Sequence, residues 1–421
     1  MTPPPQYHTE VHLVSFAALS TPARVEGLRR AVTLLVVALL VRVVGALMLG
    51  EGAPFGPDGT GAEASVYLGG HPYPLHILLL KFFSADARAL SMFCGAVNCL
   101  LLWKWGRDVG LGGGGGWLAV FTPLSVLPGV LAAGDAPALT VVLAGAVLAN
   151  RGRLAAVLGG ALAGLCVAVK PIALPALVLF LVRPGSLLGL GATLLVLRQY
   201  TRPLWAPMTD GGLLGTWWVS SMGAPPEDWL SWVFSGGLRL MQAEGWALLF
   251  LIPLGALVGV WHGQGWRSKW VALGPVLAAW MVSALFGSRL ELRYLSSAFV
   301  AALPFVGLIL TSRRALILVC MACAWPTWAL LSQLGAERSR LDTEAQVPSW
   351  IVLEWPLVET RPLFDACSTE DATRLRNLAF QLAEVAPEGS TIITEPRADG
   401  REGELFWPLR VLRPDLKVAV R

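Results

Sequence analysis

Between residues 31 and 332 the sequence returns repeatedly to apolar stretches, each about as long as the ~20 residues needed to cross a bilayer. A hydrocarbon core offers no water to a bare backbone, so such segments fold as helices that satisfy their own N–H and C=O groups. About eleven spans fit into the interval. Composition agrees, since 55% of the 421 residues are apolar and 14% are charged, against roughly 25% charged in a soluble domain. Too little charge is present to coat a water-facing surface. The expectation is an all-α polytopic membrane protein with a small soluble α/β domain at its C-terminal end.

Charge patterning sets the expected topology. Arg24, Arg29 and Arg30 precede the first apolar run (31–49), which predicts a cytoplasmic segment over 1–30 by the positive-inside rule. That segment lacks the apolar core and small-residue cleavage site of a removable signal peptide, so the first span is expected to stay as an anchor. Lys104 and Arg107 close the second span (89–105), Arg151 and Arg153 follow the fourth, Arg183 follows the sixth, and Arg313 and Arg314 follow the tenth. Each returns a basic cluster to the inner face. The exception is the segment SRLELRY (288–294), which the same alternation places outside. The net charge of +4 is spread over short loops without a polybasic tract, which argues against a nucleic-acid partner.

Several stretches carry their own signals. The short apolar run 75–83 is too brief to span and suits the interface, and the glycine run 112–116 lacks the GKS or GKT of a phosphate loop and reads as a flexible turn. The fifth span (154–169) contains GGALAG, small residues that permit close helix packing. The loop 199–244 is rich in tryptophan, as expected at a membrane surface. Five cysteines, Cys94, Cys99, Cys166, Cys320 and Cys323, lie in apolar segments and only Cys367 in a polar one, so no disulfide framework is expected. In the remaining part, 333–421, a capped helix over 369–386 and strands at TIIT (391–394) and LKVAV (416–420) define the α/β domain.

Charges at the outer ends of spans are the candidates for chemistry, because burying them is costly without a substrate or counter-ion. Asp58, in PDG, reads either as a general base for an attacking hydroxyl or as an exposed turn residue. Asp135, in AAGDAP, either joins Asp58 in binding a divalent cation (Mg or Mn) or orienting an acceptor, or caps the fourth span. Arg289 and Arg293 suit a phosphate through bidentate hydrogen bonds, or else form an interfacial ion-pair cluster with Glu291, beside Tyr294. Lys170 contacts a phosphate or snorkels from the end of its span. Glu63, His71 and His76 are accessory candidates, and two histidines five apart make a poor zinc site.

In order and spacing these segments resemble the GT-C superfamily of membrane glycosyltransferases, including its mannosyl- and arabinosyltransferases. The resemblance runs over about 25–332. It rests on the acidic outer loop PDGTGAEASVYLGGHPYPLH, on GDAPALTVVLAGAVLANRGR, on AAVLGGALAGLCVAVKPIALPALVLFL, and on SRLELRYLSSAFVAALPF. It implies a polyprenyl-phosphate sugar donor, Asp58 as catalytic base, Asp135 as second acidic residue, and Arg289 and Arg293 against the lipid phosphate. Asp58 is followed by Gly59 where the family commonly has a second acidic residue. The expected activity is inverting sugar transfer to a lipid, glycan or protein acceptor on the extracytoplasmic face of a bacterial inner membrane. A transporter or flippase of a lipid-linked saccharide predicts internal repeats and charges at mid-span; no repeat is evident, and Arg42 alone is central. A catalytically silent scaffold is the third reading.

Overall fold

The structure is a computed structural model of the full chain, and it describes residues 22–49, 73–83, 86–131, 134–197, 248, 250–263, 265–286, 295–342, 381–382, 384–394 and 416–420. In chain order the helices are α1 (Pro22–Leu49), α2 (Pro74–Phe82), α3 (Ala87–Asp108), α4 (Gly114–Phe121), α5 (Pro123–Val130), α6 (Asp135–Ala149), α7 (Arg153–Gly164) and α8 (Cys166–Val169). A 3₁₀ helix (Pro171–Val182) and α9 (Pro184–Val196) follow, then α10 (Phe250–His262), α11 (Gly265–Phe286), α12 (Ser296–Ile309) and α13 (Arg313–Asp342). Three helical segments among the described residues are long and apolar enough to cross a membrane: Val25–Leu49, Ala87–Asp108 and Arg313–Ser332.

Several expected spans take other forms, for identifiable reasons. The third, read over 117–133, breaks at Thr122 (φ −77°, ψ 135°) into α4 and α5, because Pro123 bars the preceding residue from the helical region. The sixth is the 3₁₀ helix, with proline at 171 and 175. At about 2.0 Å per residue a twelve-residue 3₁₀ helix reaches about 24 Å, further than the same residues as an α-helix. α9 has 13 residues, about 20 Å. α1 starts nine residues before the apolar run, so Arg29 and Arg30 belong to the helix rather than to a preceding tail; Arg30 Nε donates to Glu26 Oε1 at 2.8 Å, one turn back. The glycine run is only partly a turn, since Gly114, Gly115 and Gly116 form the first turn of α4.

GGALAG does pack as its composition suggests. Gly159 lies against the backbone of α6, and Gly160 against Ser186 at the start of α9, so closely that a Cβ at either site would collide with main-chain atoms. Gly160→Ala is therefore expected to destabilise the bundle by about 3 kcal/mol, the upper end of ordinary overpacking, because backbone cannot swing aside. Thermal unfolding of the detergent-purified protein measures it, and an unchanged Tm would contradict this packing.

Arg42 lies in the middle of α1 with no exposed surface. Its Nη1 donates to Ala38 O at 2.9 Å, and its Nη2 reaches Cys99 Sγ at 3.4 Å and both Ser125 O and Ser125 Oγ at 3.3 Å. Room for the guanidinium comes from Gly95 on α3 and Gly129 on α5, where a Cβ would stand 2.5 and 2.6 Å from Nε. The side chain thus joins α1 to α3 and α5. All five cysteines of the apolar segments are buried and free, consistent with small packing residues.

Near the C-terminus, β1 (Thr391–Thr394) and β2 (Lys417–Val420) pair in parallel, with Thr391 opposite Lys417 and Thr394 opposite Val420. Both strands fall where the sequence predicts them. Of the helix expected over 369–386, most lies outside the described residues. α13 continues past residue 332 to Asp342 without a break.

Candidate functional site

Three of the candidate residues, from three separate segments, meet at one end of the bundle. Asp135 is the first residue of α6, and the turn before it is made by Gly134 in the left-handed region (φ 73°), which glycine adopts without strain. Gly134 occupies the cap position and offers no side-chain cap, so the carboxylate of Asp135 is not used to cap its own helix. It turns instead to Lys170, whose Nζ stands 2.8 Å from Oδ1; the two side chains are 1% and 15% exposed. Asp135 Oδ2 is buried without a hydrogen-bond partner among the described residues.

The termini of two helices support this pair electrostatically. A carboxylate at the N-terminus of α6 and an ammonium at the C-terminal end of α8 both lie where the helix dipole favours them. Lys170 itself is extended (φ −170°, ψ 128°), which ends α8 and starts the 3₁₀ helix. A span-end lysine free to snorkel would be exposed; this one is held.

His76 forms the third part. The nine-residue α2 is the short helix expected at the interface, and it packs against α8. His76 is 4% exposed. Three atoms of its ring, Cε1, Nδ1 and Nε2, would lie 3.1, 3.3 and 3.4 Å from a Cβ placed on Gly134. Near-equal distances mean that the ring lies face-on against Gly134, next to Asp135 in the chain. Any side chain at 134 would displace it.

Polar contacts fix the floor beneath the pair. Asn98 Nδ2 donates to Ala136 O at 3.0 Å, and Thr140 Oγ1 donates to Ala136 O at 2.9 Å and Cys94 O at 3.3 Å, which locks α6 to α3 one turn below Asp135. Arg88, absent from the sequence candidates, adds a clamp: its Nε donates to Val130 O at 3.2 Å and its Nη2 to Ala46 O at 3.1 Å, joining the ends of α1 and α5. On the far side Ser297 Oγ donates to Ile172 O at 2.8 Å, which ties the start of α12 to the segment just after Lys170. The remaining candidates, Asp58, Glu63, His71, Arg289, Glu291, Arg293 and Tyr294, lie outside the described residues.

Among the described residues no three His, Cys, Asp or Glu side chains come together as a metal site. Asp135 Oδ1 faces the Lys170 ammonium at 2.8 Å, and the acidic residue expected to share a cation with it, Asp58, lies outside the described residues. A cluster of basic residues gathers at the opposite end. There Arg107 stacks over Trp103 at 4.7 Å to the ring centroid, Lys104 pairs with Asp108, and Arg29, Arg30 and Arg313 converge on a shared cavity.

Two solved structures align with most of the chain. It is similar to ArnT from Cupriavidus metallidurans bound to undecaprenyl phosphate, at 16% identity and a TM-score of 0.46, covering 92% of this chain and 85% of that one. The apo state of the same protein aligns at 15% identity and a TM-score of 0.48, over 91% and 85%. Both scores fall below 0.5. No protein-family model and no curated protein matches the chain.

Proposed function

We propose that the protein is a GT-C-type membrane glycosyltransferase that moves a sugar from a polyprenyl-phosphate donor to an acceptor hydroxyl at the Asp135 end of the bundle, with inversion. The observation that supports this most is the buried Asp135–Lys170 pair beside His76. It gathers, at the end away from the basic cluster, residues from three of the segments that carry the resemblance. By the positive-inside rule that end faces away from the cytoplasm.

In this reaction the acceptor oxygen attacks the anomeric carbon, the bond from that carbon to the phosphate oxygen breaks, and polyprenyl phosphate leaves. Asp58 takes the hydroxyl proton as general base. Arg289 and Arg293 stabilise the charge that develops on the leaving phosphate. In the sequence Arg293 lies three residues before Ser296, the first residue of α12, and Ser297 of α12 is bonded to Ile172, two residues after Lys170. Asp135 holds Lys170 in place, so the pair positions the site.

Transport is the rival reading, and the mid-span charge it needs is Arg42. That side chain is walled in by Gly95 and Gly129 and bonded to Ala38, Cys99 and Ser125, which suits a helix tie rather than a translocation site. Asp58→Asn is expected to lower transfer at least a hundredfold with donor binding retained, as for loss of a general base, while Arg293→Ala weakens donor binding. Transfer that survives Asp58→Asn at the wild-type rate removes Asp58 from the mechanism.

A further inference from the structure

At the basic end a cavity of about 1070 Å³ opens between α1, α3, α4 and α13. Its rim carries four arginines, Arg29, Arg30, Arg107 and Arg313, against a single carboxylate, Glu26. Glu26 is taken up by Arg30 at 2.8 Å and also feels the charge of Arg29, and Arg107 lies on Trp103, while Arg313 has no ion pair among the described residues. Among the described lining residues four guanidinium groups stand against one carboxylate, a clear excess of positive charge.

Below the rim the lining changes character. Trp117, Phe121, Leu316, Cys320, Met321 and Ala324 are apolar. From Arg313 to Ala324 the cavity follows twelve residues of α13, eleven rises or about 16 Å at 1.5 Å per residue. This matches one leaflet, half of a hydrocarbon core about 30 Å thick. Ile317 and Met321 are 49% and 66% exposed, so the wall is open toward the side that lipid occupies. The volume also exceeds a small ion's needs and sits at the top of the roughly 300–1,000 Å³ range of drug-sized sites.

We propose that this cavity binds one anionic glycerophospholipid from the leaflet at the basic end, its phosphate between Arg29 and Arg313 and one acyl chain along α13 toward Ala324. Charge complementarity selects the headgroup: guanidinium forms bidentate bonds to phosphate oxygens, and the rim's excess of positive charge prefers a net anionic lipid over a zwitterionic one. The apolar depth selects a chain-bearing ligand over free phosphate. This site lies at the opposite end from Asp135 and does not depend on the proposed transfer.

The test uses the full chain in detergent, titrated with phosphatidylglycerol, phosphatidylcholine or glycerol phosphate and read by native mass spectrometry. Phosphatidylglycerol is expected to form a one-to-one adduct that phosphatidylcholine does not displace. In Arg29→Ala/Arg313→Ala its affinity is expected to fall about 30-fold, as for two contacts near 1 kcal/mol each. Met321→Trp, which fills the apolar part and leaves the rim intact, is expected to exclude the lipid as well. Thermal unfolding shows whether each variant is folded. Equal binding of the two lipids, or an unchanged adduct in the folded double variant, overturns the proposal. Binding of glycerol phosphate that is indifferent to Met321→Trp would mark a phosphate site without a lipid, and overturns it too.

Discussion

Asp135→Ala is expected to destabilise the bundle by about 3 kcal/mol and to abolish transfer. Asp135 is 1% and Lys170 15% exposed, and deleting one partner of so buried an ion pair takes a counter-ion from a charge largely out of water, which is the main cost in such pairs. The lower end of the usual range applies because part of Lys170 stays wet. The contrast is the double change Asp135→Leu with Lys170→Met. Replacing a buried pair by apolar groups of similar size is often neutral, so this variant is expected to regain stability to within about 1 kcal/mol of wild type. Activity stays absent if the pair positions the site. A double variant that is stable and active would reduce the pair to a structural fastening; thermal unfolding beside a transfer assay separates these outcomes.

The second large effect is expected at Arg42. Truncation to alanine empties a fully buried volume and strips Cys99 and Ser125 of their donor, so a loss of about 3–5 kcal/mol is expected. Arg42→Lys should recover little, because a single ammonium cannot match the fork that reaches Ala38 along its own helix and Ser125 on α5. Arg42→Met keeps the volume and removes the charge. If it proves more stable than wild type in detergent, the hydrogen bonds do not offset the burial of the guanidinium, and the arginine is there for another reason.

The parts of this architecture legible in the sequence are those written locally. Apolar run length marks α1, α3 and α13; GGALAG announces the close approach of α7 to α6 and α9; and β-rich tetrads near the end become β1 and β2. Proline effects were legible in principle, since Pro123 follows Thr122 and thereby divides a run that hydropathy alone reads as one span. Other features depend on partners far along the chain. Asp135 and Lys170 stand 35 residues apart, and no local pattern shows that a helix start and a helix end will meet. Arg88 looks like an ordinary residue at a helix start until its carbonyl partners at Ala46 and Val130 are seen. His76 gives a weak signal for the same reason, because the ring packs against Gly134, more than fifty residues later.

The most direct test of the proposed function is to present purified wild-type protein in nanodiscs with a panel of synthetic polyprenyl-phosphate sugars and to follow release of polyprenyl phosphate. Saturable binding of at least one donor, with polyprenyl phosphate released and an anomerically inverted sugar on the acceptor or on water, is the predicted result. No binding and no release with any member of the panel, in protein that is folded by thermal unfolding, would contradict it.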